Sequence, residues 1–492
     1  MGGMPPMREP DSDNFPPAEA CAAHAPVRLN AVAVTNGFLP RPLTADFAWA
    51  DFSCGNGENA AVIAAAYPQA RCFAAGGPGG RGKALAEAAG LSNLDWLSGP
   101  VADIPEDALL PLDFAVFDGG LAGFATAERE RTLARIARAV KPGGILLLGY
   151  HALPGFAAMM PLRDVLNSVT ARNGGPPTAR LRAALDWLAQ ADRAEKGFFA
   201  DHPALRRRIR AYAEIAEETA AAELFSATLT PFHFAQVNAS VAAEGFTFAG
   251  NAAMRLNMLD LALPPAVRPL VKRARSRIEL ETLRDALLGP AYRRDVYVRG
   301  APVADEATFW AQHDALLVGL AAEETAEADG VDLEAFPFPP LREALAAGPR
   351  RVDDIPGLIP EIARDAVRVG LATGLLIPLA RAGAEPAAQQ DDVLRVPLAL
   401  NRALLSGVFA HPAPVPLVSP VAGCALPIAA ETALALAAIS ETGCGFAEAV
   451  AAVAARLLAA ANGRGDSAEG RAAIAALAQR GLAGLTPQRL AA

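Results

Sequence analysis

The sequence predicts an α/β protein built on a parallel sheet with helices on both faces. Three observations carry the prediction. Short apolar runs alternate with helix-forming runs from about residue 45 to about 150. The first of these runs closes in a glycine turn, "SCGNG", directly ahead of a helix-forming stretch. The last, "GILLLGY", is an uninterrupted apolar run that suits a strand buried on both faces.

The elements follow in order. "DFAWADF" is the first strand and "ENAAVIAAAYP" a helix. "ARCFAA" is the second strand, "GKALAEAAG" a helix ended by Gly90, and "LDWLSG" the third strand. "LDFAVFDGG" is the fourth. The helix after it starts at Thr126 as N-cap and stops at Lys141, Pro142 and Gly143. "GILLLGY" is the fifth strand. Residues 1–25 are polar and proline-rich and are expected to be disordered, so the sheet domain spans 26–170. Residues 171–305 read as a mostly helical domain and 306–492 as an α-rich C-terminal domain. Within the latter, three short helices and an apolar strand at about 335–380 resemble a small winged-helix arrangement. Residues 381–392 read as a linker, and "GFAEAVAAVAARLLAAA" has helical periodicity.

Bulk properties exclude several classes. A length of 492 residues suggests two to four domains, and 52% hydrophobic residues suffice for several cores. A net charge of −9 argues against a nucleic-acid surface, and "RRRIRAY" (206–212) reads as a solvated helix face. Cys21, Cys54, Cys72, Cys424 and Cys444 have neither metal-ligand spacing nor a disulfide framework. The N-terminus lacks the basic and apolar segments of a signal peptide, and no apolar run is long enough to span a membrane. A cytoplasmic protein without membrane insertion is expected.

The glycine turns suggest chemistry. Asp51, Gly55 and Gly57 close the first strand in "DFSCGNGEN". Glycines at a strand-to-helix turn let a ligand approach the backbone, and the helix N-terminus favours a carboxylate or phosphate. Methyltransferases hold S-adenosylmethionine at such a turn with the pattern acid-x-G-x-G-x-G; here Ser53 replaces the first glycine. A second stretch, "AGGPGGRGKA" (75–84), has the spacing of a phosphate-cradling loop at Gly77, Gly82 and Lys83. Ala84 stands where that loop needs a hydroxyl for Mg²⁺, and the stretch follows the second strand rather than the first. It is therefore not read as a triphosphate site. The second strand of this fold ordinarily ends in an acid for the ribose hydroxyls, yet none stands from Gly76 to Gly82. Pro100 replaces another expected acid, while Asp103 survives. Each lost charge-assisted hydrogen bond costs about 1.5–3 kcal/mol.

Several stretches together resemble the class I methyltransferases that carry a methyltransferase regulatory domain. "LARIARAVKPGGILLLGYHALPGFAAMMPLRDVL" (133–166) is similar to that family's Tyr-Asn-x-x-Pro-Gly-Trp box and Pro-Leu-Arg helix, with Tyr150, Pro154, Gly155, Pro161, Leu162 and Arg163 in place. His151 replaces the usual Asn and Phe156 the usual Trp. "AYRRDVYVRG" (291–300) resembles the family's Phe-Arg-Arg-Asp segment; "LVSPVAG" (417–423) and "VTNGF" (34–38) are weaker echoes. The family's regulatory box is eroded in "AAELFSATLTPFHF", which keeps Glu223 and Pro231. The resemblance implies a Rossmann-like methyltransferase sheet, S-adenosylmethionine as cofactor, and a protein or peptide side chain such as lysine as substrate. It implies that Asp51, Gly55, Gly57, Asp103 and Asp118 line the cofactor site.

Methyl transfer is an in-line displacement in which positioning supplies most of the rate. Tyr150 and His151 follow the fifth strand at the carboxyl edge, and His151 is a candidate general base. Two readings follow: an S-adenosylmethionine-dependent methyltransferase, or a catalytically degenerate methyltransferase fold that binds or scaffolds a partner protein. Homo- or hetero-oligomers are compatible with both.

Overall fold

The computed structural model describes residues 22–193, 228–303, 305–321, 331–382, 396, 398–408 and 414–442, with isolated positions between 202 and 226. The "RRRIRAY" cluster, Glu223, the linker and the Ala-rich tail lie outside the described residues, apart from Tyr212 and the first two linker positions.

Five strands and their helices follow the predicted alternation. They are β1 (Ala48–Asp51), β2 (Arg71–Ala74), β3 (Leu94–Trp96), β4 (Leu112–Asp118) and β5 (Val140–His151). Helix α1 (Pro26–Thr35) precedes them, α2 (Glu58–Ala66) and α3 (Gly80–Ala89) alternate with them, and α4 (Thr126–Ala139) joins β4 to β5. Thr126 is the first residue inside α4 rather than its cap, which is Ala125, and Val140–Gly144 already belong to β5.

Beyond residue 170, where a second domain is expected, the chain returns to the main sheet. Helices α5 (Met159–Thr170), α6 (Pro177–Arg193) and α7 (Phe234–Ala243) lead into β6 (Phe246–Asn251); α8 (Arg277–Leu288) leads into β7 (Tyr292–Arg299). Both strands join the main sheet, whose order is β3-β2-β1-β4-β5-β7-β6. β7 runs antiparallel to β5 and β6, and β1 to β5 are parallel. The reason is legible afterwards: "YRRDVYVR" and "FTFAGN" carry strand-forming aromatic and β-branched residues between helices.

One face of the sheet buries Trp49, Phe114, Val116, Leu147 and Val296 against α1, α2 and α3. The C-terminal elements α12 (Ala399–Leu405), β11 (Val415–Ser419), β12 (Cys424–Ile428) and α13 (Ala430–Thr442) share that core through Leu404, Val418 and Leu434. The opposite face buries Phe117, Leu148 and Tyr297 against α4 to α7. A third cluster lies in a small module. It comprises α9 (Glu306–Asp314), β8 (Leu317–Leu320), α10 (Phe338–Ala346), β9 (Arg350–Arg351), α11 (Pro360–Thr373) and β10 (Leu376–Pro378). Its sheet order is β10-β8-β9, and the middle of the three expected helices is a single 3-10 turn, Val352–Asp354. Residues 22–25, expected to be disordered, are packed: Ala22, His24 and Ala25 are all buried.

Candidate functional site

The site is built first from backbone. Asp51 ends β1, and the chain turns through Gly55 and Gly57 into α2, with Gly57 as a left-handed N-cap at φ 85°. The loop after β2 lies directly on this turn. Cys54 N–H donates to the Ala75 carbonyl (2.9 Å), Gly79 N–H to the Gly55 carbonyl (3.0 Å) and Gly82 N–H to the Asn56 carbonyl (2.7 Å). A Cβ at Gly77 would overlap the Gly55 backbone, so only glycine permits the contact. Trp96, from β3, covers the same place: a Cβ on Gly57 would lie 2.5 Å from its ring. Lys83 Nζ sits 5.5 Å from the Trp96 ring centroid. The N–H groups of Gly79 and Gly82 are therefore spent on the chain's own carbonyls. A phosphate would need those donors, which agrees with rejecting the triphosphate reading.

The second half of the carboxyl edge is closed by side chains. Asp51 Oδ1 accepts from Ser53 N–H (2.9 Å) and from the Ser53 hydroxyl (3.0 Å). That hydroxyl in turn accepts from Asp118 N–H (2.7 Å), so the serine in the first glycine's place ties β1 to β4. Burial pushes the Asp51 carboxyl up from its ordinary pKa. Asp118 Oδ2 lies 2.8 Å from His24 Nε2 and accepts from Arg294 Nε (2.7 Å); its Oδ1 accepts from the Tyr292 hydroxyl (2.6 Å). Burial would raise Asp118, but His24, Arg294 and Tyr292 together hold it well below the carboxylate range. His24 Nδ1 is 2.7 Å from Asn59 Nδ2. The cluster spans β5 because Gly149, paired with Asp118 and Arg294, has no Cβ to block it.

β5 alternates its last two side chains. His151 is paired with Tyr292 and lies on the Asp118 face, edge-on to Phe156 (4.4 Å) and to Tyr292 (5.3 Å). Tyr150 points to the other face. Its hydroxyl donates to Asp295 (2.6 Å), and burial raises its pKa well above the usual value. There Arg293 bonds Asp295 (2.8 Å), Asp285 (2.5 Å) and Glu281 (3.0 Å), tying α8 to the sheet. Asp103 lies at the surface, 3.9 Å from Arg131.

The structure thus brings Asp51, Gly55, Gly57 and Asp118 to one edge with His151 nearby. It leaves Tyr150 on the opposite face and Asp103 outside. His24, Trp96, Tyr292 and Arg294 were not singled out from the sequence. His24 sits in the stretch expected to be disordered, and the alternation in "YRRD" was the available signal for the other two polar groups. No acid follows β2, where S-adenosylmethionine would place its ribose, and the Gly76–Gly82 loop and Trp96 pack directly on the glycine turn. A cavity of about 360 Å³ opens instead at the amino-terminal end of β4 and β5, beside Arg135, Lys141 and Arg299.

Residues 218–299 match the family model described as a predicted methyltransferase regulatory domain. The protein sll1526 of Synechocystis sp. is 26% identical over 280 residues, 56% of this chain and 55% of that protein. The match thus spans about half of that relative's length. PKMT2 from Rickettsia typhi superposes with a TM-score of 0.72 at 12% identity, covering 96% of this chain and 97% of that one. The same protein in complex with AdoHcy gives 0.69 at 12% identity, covering 96% and 99%. The chain has the Rossmann-like methyltransferase fold with a methyltransferase regulatory domain.

Proposed function

We propose that this chain, with its methyltransferase fold and regulatory domain, is a catalytically degenerate member of that fold that binds or scaffolds a partner protein. One observation carries the reading: the Gly76–Gly82 loop is bonded backbone to backbone onto the turn at Gly55, with Gly79 N–H on the Gly55 carbonyl. A nucleoside would have to displace that loop and Trp96, and would then find no acid for its ribose. The Asp118 cluster adds to it, since the carboxylate already has three partners.

A second reading keeps the enzyme: a protein methyltransferase, acting on a side chain such as lysine, whose loop opens for S-adenosylmethionine. The surviving Asp51, Gly55 and Gly57 favour it, as does the fold shared with PKMT2, whose complex with AdoHcy is solved. Calorimetric titration of the full chain with S-adenosylmethionine and S-adenosylhomocysteine separates the two. The degenerate reading expects no heat at millimolar ligand. Micromolar binding, lost in Gly55→Arg, would overturn it and call for a substrate search.

A further inference from the structure

Residues 261–278, "LALPPAVRPLVKRARSRI", carry Arg268, Lys272, Arg273, Arg275 and Arg277 and no acid, in a chain of net charge −9. The segment links β6 to α8. Arg268 pairs with Asp260 (3.3 Å) and Arg277 with Glu281 (3.1 Å). Glu279 faces the segment, but its carboxylate accepts the Arg275 backbone N–H (2.7 Å) and caps the turn. Lys272, Arg273 and Arg275 are exposed, and none of their side chains has an ion-pair partner among the described residues. Val271 is fully buried and pins the segment, while Leu270 (52%) and Ile278 (43%) are exposed beside the cations.

Leu270 and Ile278 bracket Lys272, Arg273 and Arg275 along the chain, so the exposed aliphatics and these cations belong to one short segment. Interleaved cations and aliphatics suit an anionic surface with an apolar layer beneath. The segment has no aromatic residue on which a base could stack, which disfavours single-stranded nucleic acid. We propose that this segment docks the protein on an anionic lipid surface, with Lys272, Arg273 and Arg275 among the headgroups and Leu270 and Ile278 at the acyl boundary. No described helix is long and apolar enough to cross a membrane, so the contact is interfacial. The inference does not depend on whether the glycine turn binds a cofactor.

Sedimentation of the full chain with vesicles tests it. Phosphatidylcholine vesicles should leave the protein in solution, and vesicles that also contain phosphatidylglycerol should carry it down, less so as salt rises. At about fivefold per cation near such a surface, the K272Q/R273Q/R275Q variant should partition roughly a hundredfold more weakly. Its thermal midpoint should be unchanged. Leu270→Ser should weaken binding while leaving the salt dependence as it was. No sedimentation with the anionic vesicles, or equal sedimentation of the triple variant, overturns the proposal. So does tighter binding to polyglutamate or duplex DNA than to the vesicles, which would assign the patch to an acidic protein or a nucleic acid.

Discussion

The carboxyl edge of the sheet is closed in two different ways within one molecule. Between β1 and β2 the closure is backbone on backbone, and it depends on side chains that are missing at Gly77 and Gly82. Between β4, β5 and β7 it is made of side chains: His24, Asp118, Tyr292 and Arg294. The first closure is steric and blind to charge. The second is ionic and answers to pH and to the removal of a single partner. The two closures therefore fail under different perturbations: the first to added bulk at a glycine, the second to acid or to the loss of one partner.

Removing Asp118 should have the largest effect. Asp118→Ala removes the carboxylate that His24, Tyr292 and Arg294 share. Breaking a buried pair from one side costs 3–5 kcal/mol. The Arg294 side chain is 35% exposed, so a loss of about 3 kcal/mol is expected, read as a lower urea midpoint at unchanged slope. A loss under about 1 kcal/mol would mean that the charged closure is ornamental. Because Asp118 is held below its ordinary value of 3.8, its contribution is present above that pH and is lost only as pH falls below it.

A second acid effect must be kept apart from that one. His313 lies fully buried in the small module, with neither ring nitrogen hydrogen-bonded among the described residues. Burial, aided by Arg368, pushes its pKa down to about 4 from 6.5. Its neutral form is the stable one, so stability is full above pH 6.5 and falls as pH drops toward 4, by at most about 3 kcal/mol. His313→Leu should remove this loss. Burial raises the Asp51 carboxyl and pushes Asp285 up to about 6, and these gain stability as pH falls, so the variant's urea midpoint should hold or rise toward pH 4 before the drop that belongs to Asp118. If the slope persists in the variant, another group titrates there.

The five parallel strands and their helices were legible because apolar runs alternate with helix formers and are punctuated by glycine. β6 and β7 were not, since their short runs sit inside a helical stretch and β7 interleaves charges: Arg293 and Asp295 turn to one face, Tyr292 and Arg294 to the other. Asp51, Gly55, Gly57 and Asp118 lie at the strand ends and turn that the sequence marks, as strand ends are local features. The role of His24 depends on a contact 94 residues away, which no local pattern encodes. Tyr150 and His151 looked equivalent in sequence, and only the strand's alternation separates them. The absence of an acid after β2 was readable, but the packing of the next loop onto the glycine turn required its path.

The steric closure yields the next prediction. Gly77→Val places a side chain into the Gly55 carbonyl, and overpacking of this kind costs typically 1–3 kcal/mol. A loss of about 2 kcal/mol in urea unfolding is expected. If the variant instead keeps wild-type stability and gains micromolar S-adenosylhomocysteine binding, the loop is a removable lid, and the second functional reading prevails.

Lys83 should matter least. It is the residue that gives "GGPGGRGK" its phosphate-loop look, yet its ammonium sits over Trp96 rather than over a cradle of free N–H groups. An exposed cation–π contact is worth about 0.5–1 kcal/mol. Lys83→Met keeps the stem against the ring and removes only the charge, so the unfolding midpoint should fall by no more than that amount. Adding ATP with Mg²⁺ should not shift the thermal midpoint of either protein, because the donors a phosphate would need are committed to Gly55 and Asn56. A nucleotide-dependent shift that disappears in Lys83→Met would show that the loop lets go of the glycine turn for an anion. The backbone closure would then be a gate rather than a seal, and the contrast between the two halves of the edge would narrow to one of strength.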